Sequence, residues 1–352
     1  MHAPGRAPDN FNLLRLLLAA AVVFSHCFEL VDRSRVHEPL TMLFHTYNFG
    51  DLAVDGFFLL SGFLIAQSWQ RDPQALRYLA RRVLRIYPAF IVATLICGLL
   101  LGPLFGGAQY FNLLRPGEFI KWMLLLREPA LPPVFLGLPY TDSNGPLWTI
   151  QYEFQCYLLV IVAGLLGARA PRAAWWLVFL GAMTLNLFFP GALDQFHFPG
   201  ARYVLGDSPA VFLRFLTFFS GGALMFLHRD AVKLRGGWAA LALVVAFVSL
   251  WSQDAAKLLL PTAGAYGLFW FAFQPLPAHG AFDALQRFVR RNDLSYGVYV
   301  FGWPVQQILI ALLRIESPWL LLAPALLGAG ACAWLSWRLV EQPFLRLKPA
   351  AA

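Results

Sequence analysis

Long apolar runs separated by short polar segments make up this chain. Ten of the runs are long enough for a helix to cross the hydrocarbon of a membrane, which takes about 20 residues and at the least about 17. Lipid offers the backbone no hydrogen-bond partners, so these runs are predicted to be helices. The ten predicted spans lie near residues 11–31, 47–68, 83–102, 147–167, 173–189, 209–228, 236–252, 258–274, 294–313 and 318–340.

The composition indicates the same class. Apolar residues make up 59% of the chain and charged residues 13%, whereas a soluble domain carries about 25% charged residues. The predicted fold is an all-α polytopic membrane protein with about ten transmembrane helices, formed by one domain over residues 1–348 with a tail over 349–352. The first run is too long and too late for a cleaved signal peptide, and no small-residue cleavage site follows it, so a retained span is predicted.

The basic residues predict the orientation. Of the 27 Lys and Arg residues, 17 fall in segments on one side of the predicted spans, eight fall on the other side, and Arg15 and Arg214 lie within spans. The positive-inside rule then places both termini in the cytoplasm. Nucleic-acid binding is a poor alternative explanation of the net charge of +8, because the basic residues are scattered along membrane edges.

The longest segment between predicted spans, residues 103–146, lies on the outer side in this topology and is rich in Pro and Gly. Its middle, Phe119 to Leu138, is apolar but is interrupted by Arg127, Glu128 and three prolines. That pattern favours a re-entrant or interfacial segment over an eleventh span.

Arg15 and His26 are the most informative polar residues of the first span. They are eleven residues apart, just over three helical turns, so they share one helix face at a separation of roughly 16 Å along the axis. An ionisable group inside a bilayer costs roughly 3 kcal/mol and is by default a functional candidate. The alternative is an arginine that reaches the membrane edge and a histidine that hydrogen-bonds a neighbouring helix.

Several carboxylates are predicted to lie at a depth similar to that of His26, in the outer half of the membrane. They are Glu29 in the first span, Asp55 in the second and Glu153 in the fourth. A histidine with a carboxylate that orients its ring is the minimum set for general base catalysis on a hydroxyl. A polar network that only packs helices together remains the alternative.

A second set of polar residues opens the third predicted span at its cytoplasmic end. Arg82 and Arg85 share a helix face, as do Arg81 and Arg85, and the guanidinium group suits phosphate recognition. Together with Arg15 they predict a site for a polyphosphate ligand, whereas the alternative is anchoring to lipid headgroups. The four cysteines show neither metal-ligand nor disulfide spacing, no nucleotide-binding fingerprint occurs, and no metal is expected.

Six motifs, taken in order, carry a resemblance to a known family. The chain resembles the acyltransferase-3 family of integral-membrane O-acyltransferases. The matching residues are Arg15 with His26, the segment Val54-Asp55-Gly56-Phe57-Phe58-Leu59-Leu60-Ser61-Gly62-Phe63-Leu64-Ile65, Arg82-x-x-Arg85-Ile86-Tyr87-Pro88, Leu147-Trp148-Thr149 with Glu153 and Tyr157, Ser295-Tyr296-Gly297-Val298-Tyr299 with Trp303-Pro304, and Val340-Glu341-Gln342-Pro343-Phe344.

The resemblance implies transfer of an acyl group, usually acetyl, from cytoplasmic acyl-CoA to a hydroxyl of an extracytoplasmic or membrane-bound glycan, in a bacterial cytoplasmic membrane. The predicted site has three parts. His26 is the general base with Glu29 or Asp55 orienting it, the donor phosphates bind the arginines, and the substrates contact four motif residues. The arginines are Arg15, Arg82 and Arg85, and the substrate-binding residues are Trp148, Glu153, Tyr299 and Trp303.

One position departs from the family pattern, and other functions stay open. Many members carry a histidine just before the Trp-Pro of the ninth span, where this chain has Gly302; the departure bears on acceptor and donor identity more than on reaction type. A transporter or flippase for an anionic solute would also place charges in the membrane, but no inverted repeat is visible. An acyltransferase for a lipid or small-molecule acceptor is a third option.

Overall fold

The computed structural model describes residues 10–166, 171–189, 207–275 and 280–348, without the side chains of 281 and 282. Within these ranges the regular elements are helices, and no strand occurs. The α-helices are α1 (Phe11–Asp32), α2 (Pro39–Phe44), α3 (Phe49–Arg71), α4 (Ala75–Leu95), α5 (Gly102–Phe105), α6 (Tyr110–Leu113), α7 (Pro116–Leu124), α8 (Trp148–Leu166), α9 (Pro171–Phe188), α10 (Pro209–Leu227), α11 (Gly236–Ser249), α12 (Gln253–Leu259), α13 (Ala265–Phe273), α14 (Gly280–Arg291), α15 (Ser295–Leu313), α16 (Pro318–Ser336) and α17 (Gln342–Arg346).

Short non-α turns join some of these helices into longer rods. The π-helical segments Ile96–Leu101, Leu260–Gly264 and Trp337–Glu341 connect α4 to α5, α12 to α13 and α16 to α17, and the 3-10 turn Gly145–Leu147 leads into α8. Parts of the sequence-based predictions fall outside the described residues, namely Arg6, Arg169 and Arg202 of the charge count, residue 167 of the fourth span, and the tail 349–352.

Eight helical stretches in the described ranges are long and apolar enough to cross a membrane. They are Phe11–Asp32, Phe49–Arg71, Ala75–Phe105, Gly145–Leu166, Pro209–Leu227, Gln253–Phe273, Ser295–Leu313 and Pro318–Arg346. The predicted class, an all-α polytopic membrane protein, is confirmed. The other two predicted spans correspond to α9 and α11; the 14 residues of α11 extend only about 21 Å, so the count of ten and the side of the termini stay predictions.

The third span begins earlier than predicted, at Ala75 rather than near residue 83. The two additional turns carry arginines, and Arg81 Nη1 lies 2.6 Å from Asp72 Oδ2, just before the helix. This ion pair lets polar turns continue the apolar helix, because it offsets the cost of placing a guanidinium at the membrane edge. The predicted arginine cluster is therefore on the body of the helix and not at its first turn.

Close contact between α3 and α10 holds one side of the bundle together. A Cβ atom on Gly62 would lie 1.9 Å from Phe219 O, and one on Gly222 would lie 2.0 Å from Leu59 O. Only glycine permits this approach of two backbones, the packing mode typical of helices in membranes. Among the eight stretches, α15 is the most buried, so it is the helix around which the functional residues collect.

Candidate active site

The helices α1 and α15 lie side by side and run in the same direction. At one end, Arg15 Nη1 is 2.7 Å from Asp293 Oδ2, two residues before α15 begins. Near the other end, Gln306 Nε2 donates to Val23 O over 2.8 Å. The face of α1 that carries both Arg15 and His26 is therefore turned toward α15 over most of its length.

His26 forms a tight cluster with a carboxylate and an arginine. Its Nδ1 atom lies 2.7 Å from Glu29 Oε2, and Arg35 Nη2 donates to the same oxygen over 2.5 Å. The histidine is only 8% exposed. The ring contacts in the described part of the chain involve Nδ1, which leaves Nε2 for a substrate. A carboxylate on one ring nitrogen and a free second nitrogen is the arrangement of a general base.

Trp303 of α15 packs against the histidine ring. The two ring centroids are 4.9 Å apart at an angle of 84°, and Trp303 Nε1 donates to Asp142 O over 3.0 Å. The residue before it, Gly302, faces α1, since a Cβ atom there would lie 2.7 Å from Val23 Cγ2. A side chain at position 302 would therefore require the Val23 side chain to shift.

A narrow cavity, in whose largely apolar wall several polar side chains stand, lies between α1, α3, α8 and α15 and is called the polar cavity. Its volume of about 40 Å³ has room for roughly three water molecules. Arg15, Ser61, Glu153 and Tyr299 are among the residues that line it. Tyr299 precedes Trp303 by four residues, one helical turn on the same face, so the cavity extends from Arg15 to the turn of α15 that precedes the contact of Trp303 with His26.

Two of the predicted substrate-binding residues supply polar groups to this cavity. Glu153 Oε1 accepts a hydrogen bond from Ser61 Oγ over 2.8 Å and a short one from Tyr157 Oη. The hydroxyl oxygens of Tyr299 and Thr149 are 2.5 Å apart. These bonds fix the polar atoms at the centre of the bundle, where an unpaired polar group would be costly.

Arg15 and Arg85 meet on a single carboxylate. Asp293 Oδ2 lies 2.7 Å from Arg15 Nη1 and 2.6 Å from Arg85 Nη2. Burial alone would raise the pKa of Asp293, but the charges of Arg15 and Arg85 and the hydrogen bonds from Ser295 together hold its pKa well below the usual range. Arg85 Nη1 also lies 3.1 Å from Glu341 Oε2. Two of the three arginines predicted to bind phosphate are therefore already paired with carboxylates.

Arg82 differs from Arg15 and Arg85 in the groups that it contacts. Within the described ranges no carboxylate lies at ion-pair distance from it; it donates to Ser68 Oγ over 3.3 Å, and its guanidinium carbon lies 5.7 and 5.9 Å from the ring centroids of Tyr78 and Tyr157. Its Nε atom is buried, and no hydrogen-bond partner for it occurs among the described residues. Arg82 is thus the arginine of this cluster that has capacity for an incoming anion.

Lys348 brings a further positive charge to the same end of the bundle. Burial and then the nearby charges of Arg85, Arg82 and Arg81 lower the pKa of Lys348 to about 8, against the opposing effect of Asp293. Four cations within electrostatic range of one another favour an anionic ligand. Among the described residues, no group of three or more His, Cys, Asp and Glu is placed to hold a metal ion.

Two predicted site residues lie away from this arrangement. Asp55 does not contact His26; its two carboxylate oxygens accept from Arg214 Nε and Nη2 over 3.0 and 2.9 Å, beside a separate apolar cavity of about 310 Å³. Of the two carboxylates proposed to orient the histidine, the structure therefore places Glu29 at the ring and pairs Asp55 with Arg214. Trp148 is 40% exposed, stacks on Phe215 and does not line the polar cavity.

The sequence reasoning missed several contributors. Arg214 had a detectable signal, since an arginine inside a span needs a carboxylate and Asp55 was one of few available. Asp293 stands in the basic segment after Arg291, where only Lys and Arg entered the charge count. Arg35 looked like an ordinary loop residue, and nothing in the sequence shows that it reaches Glu29.

Comparison with known proteins adds independent information. A family model described as an acyltransferase domain matches residues 9–338. The chain is 29% identical to nodulation protein 10 of Rhizobium leguminosarum bv. viciae, over 99% of the chain and 95% of that protein, and 29% identical to an O-acetyl transferase of Shigella phage Sf6, over 95% of each. It is 32% identical to the acyltransferase MdmB of Streptomyces mycarofaciens over 44% of the chain and 39% of that protein. No solved structure matches.

Proposed function

The chain belongs to the acyltransferase family whose model covers residues 9–338, and from this premise we propose that it transfers an acyl group, most simply acetyl, from cytoplasmic acyl-CoA to a hydroxyl of an extracytoplasmic or membrane-associated glycan. The family resemblance predicted from the six motifs is confirmed. The proposed setting is a bacterial cytoplasmic membrane, with acyl-CoA and the glycan as partners.

The chemistry is assigned to the His26 cluster. His26 Nε2 takes the proton of the acceptor hydroxyl while Glu29 holds Nδ1–H. The oxygen forms a bond to the thioester carbonyl carbon, the carbon–sulfur bond breaks, and the proton passes from the imidazolium to the CoA thiolate. Glu29 stabilises the imidazolium that forms between the two proton transfers, which is the part of the reaction where its charge matters most.

The donor is assigned to the opposite end of α1. The phosphates of CoA meet Arg82 and Lys348, where the positive charges converge, and the acyl thioester extends along the polar cavity toward His26. Arg15 and Arg85 are held by Asp293, so we assign them to shaping the entrance. The cavity of about 40 Å³ is too narrow for an acyl-pantetheine arm as it stands, so donor binding has to widen it.

One observation carries the proposal. A buried histidine–carboxylate pair lies near one end of α1, Arg15 and the neighbouring cations lie near the other end, and the polar cavity beside Arg15 covers part of the distance between them. Acyl transfer across a membrane requires this separation, because the donor is anionic and enters from one side while the acceptor hydroxyl has to be deprotonated toward the other.

The test uses purified protein in nanodiscs with acetyl-CoA and acceptor glycan extracts, and measures free CoA thiol together with the mass of the glycan. We expect acceptor-dependent thiol release and a mass increase of one acetyl group. His26→Ala should abolish both, and His228→Ala, which alters a histidine bound to Leu224 O at a different place in the bundle, should leave both intact.

Two outcomes would contradict the proposal. Near wild-type thiol release by folded His26→Ala protein would remove the histidine from the chemistry. Absence of thiol release with every glycan extract, together with uptake of an anionic solute into vesicles that contain the protein, would favour the transporter alternative. Thiol release with lipid or small-molecule acceptors alone would retain the reaction and change the acceptor class.

A further inference from the structure

A large groove opens beyond the end of the proposed catalytic cluster. It lies where α1 and α15 end, and its walls include Leu30, Ile310 and residues 135–139. Its volume is about 700 Å³, within the range of roughly 300–1,000 Å³ that is typical of ligand sites. The polar cavity inside the bundle is far smaller, so this groove is the better candidate for a bulky substrate.

The groove begins one helical turn from the proposed base. Leu30 follows His26 by four residues on the same face of α1, about 6 Å further along the axis. Ile310 follows Trp303 by seven residues, about 10 Å further along α15. Because the two helices are parallel neighbours, a sugar seated in the groove would place a hydroxyl within reach of the His26 cluster.

Hydrogen bonds fix the loop that forms one wall. Tyr140 Oη donates to Arg33 O over 3.3 Å at the end of α1, and Gln307 Nε2 of α15 donates to Tyr140 O over 2.8 Å. The loop is therefore attached to both helices whose ends form the groove. A wall held in this way is a built surface and not an accidental gap.

Two arginines of the groove have no acidic partner. Arg33 and Arg314 line it, and no carboxylate lies within ion-pair distance of either in the described ranges. Among the described residues that line the groove, Glu316 is the one acid, and it is not at ion-pair distance from either arginine. This contrasts with Arg35, which is nearby and is paired with Glu29. Unpaired guanidinium groups at the edge of a groove suit a carboxylate or phosphate on a ligand.

The backbone at these positions also points to function. Arg33 and Arg314 cap α1 and α15 with φ of 61° and 52°, a conformation that favours glycine. Phe135, also in the groove, has φ of 55°. Three of the five non-glycine residues with positive φ in the described ranges thus surround one groove, and such residues cluster at ligand sites.

We propose that this groove binds the acceptor through an anionic group of the glycan, a carboxylate or a phosphate, which contacts Arg33 and Arg314. The inference deepens the proposed function and rests on it, because the proposed function identifies the occupant of the groove as the acceptor. It narrows the acceptor from any glycan to one that carries acidic sugars or phosphodiester links.

A binding experiment without acetyl-CoA tests the groove separately from catalysis. Protein in nanodiscs of zwitterionic lipid is titrated with a glucuronate-containing tetrasaccharide, its carboxyl-reduced form and a phosphorylated oligosaccharide, with calorimetry as the readout. We expect both anionic probes to bind at least about tenfold more tightly than the reduced one. The double variant Arg33→Gln, Arg314→Gln should lose that preference, and the matched control Arg115→Gln, at an exposed arginine outside the groove, should keep it.

Three results would overturn the inference. Equal affinity for the reduced and anionic probes, or no binding of either anionic probe, removes the anionic site. An unchanged preference in the double variant places it elsewhere. Loss of binding in nanodiscs that contain anionic lipid, with binding retained in zwitterionic ones, assigns the arginines to lipid phosphate. Acyl transfer can fail while the anionic probes still bind, and acyl transfer can occur while the probes do not bind. The proposed function and the proposed anionic site can therefore fail separately.

Discussion

The substitution Glu29→Gln isolates the part of the site that activates His26. Glutamine keeps the shape of the side chain but removes the charge that faces Nδ1 at 2.7 Å. A hydrogen bond to a charged partner is worth about 1.5–3 kcal/mol, which corresponds to a fall in kcat of about 10- to 100-fold. The donor KM should stay unchanged, because Glu29 is fourteen residues, roughly 21 Å, from Arg15 at the donor end of α1.

Arg35 makes the prediction more specific. Its Nη2 atom lies 3.3 Å from His26 Nδ1, and the carboxylate of Glu29 neutralises it in the wild type. In Glu29→Gln that positive charge would oppose the imidazolium, so the double change Glu29→Gln, Arg35→Gln should recover part of the lost kcat. Steady-state thiol release, normalised to folded protein, measures all three forms.

Asp55→Asn is the comparison that can refute this reasoning. Asp55 binds Arg214 through both oxygens, so its loss should lower the free energy of unfolding by about 1–3 kcal/mol and lower the melting temperature in detergent. The kcat of the molecules that remain folded should change little. A large loss of kcat in folded Asp55→Asn protein, with little effect of Glu29→Gln, would return the orienting role to Asp55.

Three further predictions concern the donor end and the topology. Arg82→Gln should raise the donor KM about 10- to 100-fold and leave the acceptor KM unchanged in steady-state assays; an unchanged donor KM would contradict the assignment. Arg85→Gln should mainly reduce the yield of folded protein, because it removes the cation that pairs with the buried Glu341 and leaves Asp293 with Arg15 alone. The pKa of Lys348 is lowered to about 8, so the lysine loses its charge and the donor KM should rise as pH increases through 8. Lys348→Arg should show no such rise between pH 7 and 9, because arginine stays charged. The same rise in both proteins would exclude Lys348 as the group that causes it. For the topology, an impermeant thiol reagent on intact cells should label Ala108→Cys and not Gln74→Cys. Protein without either substitution gives the background, because its own cysteines are buried or half-buried. The reverse labelling would place Arg81, Arg82 and Arg85 on the outer side.

The sequence alone determined the class of protein and the residue types of the site. The length and apolarity of the runs are enough to predict helices in a membrane, because lipid leaves the backbone no other choice. Along a single helix the 3.6-residue period fixes which residues share a face. That is why Arg15 and His26 could be assigned to one face of α1, and why an arginine cluster at one end and a carboxylate near His26 at the other could be predicted without coordinates.

The tertiary structure decided which partner each of these residues meets. The sequence offered His26 two carboxylates at similar depth, and only the packing of the helices shows that Glu29 contacts the ring while Asp55 turns to Arg214. It also shows that Asp293 joins Arg15 to a second helix. Helical periodicity fixes depth and face within one helix, but the rotation and neighbours of each helix depend on contacts between residues far apart in the chain.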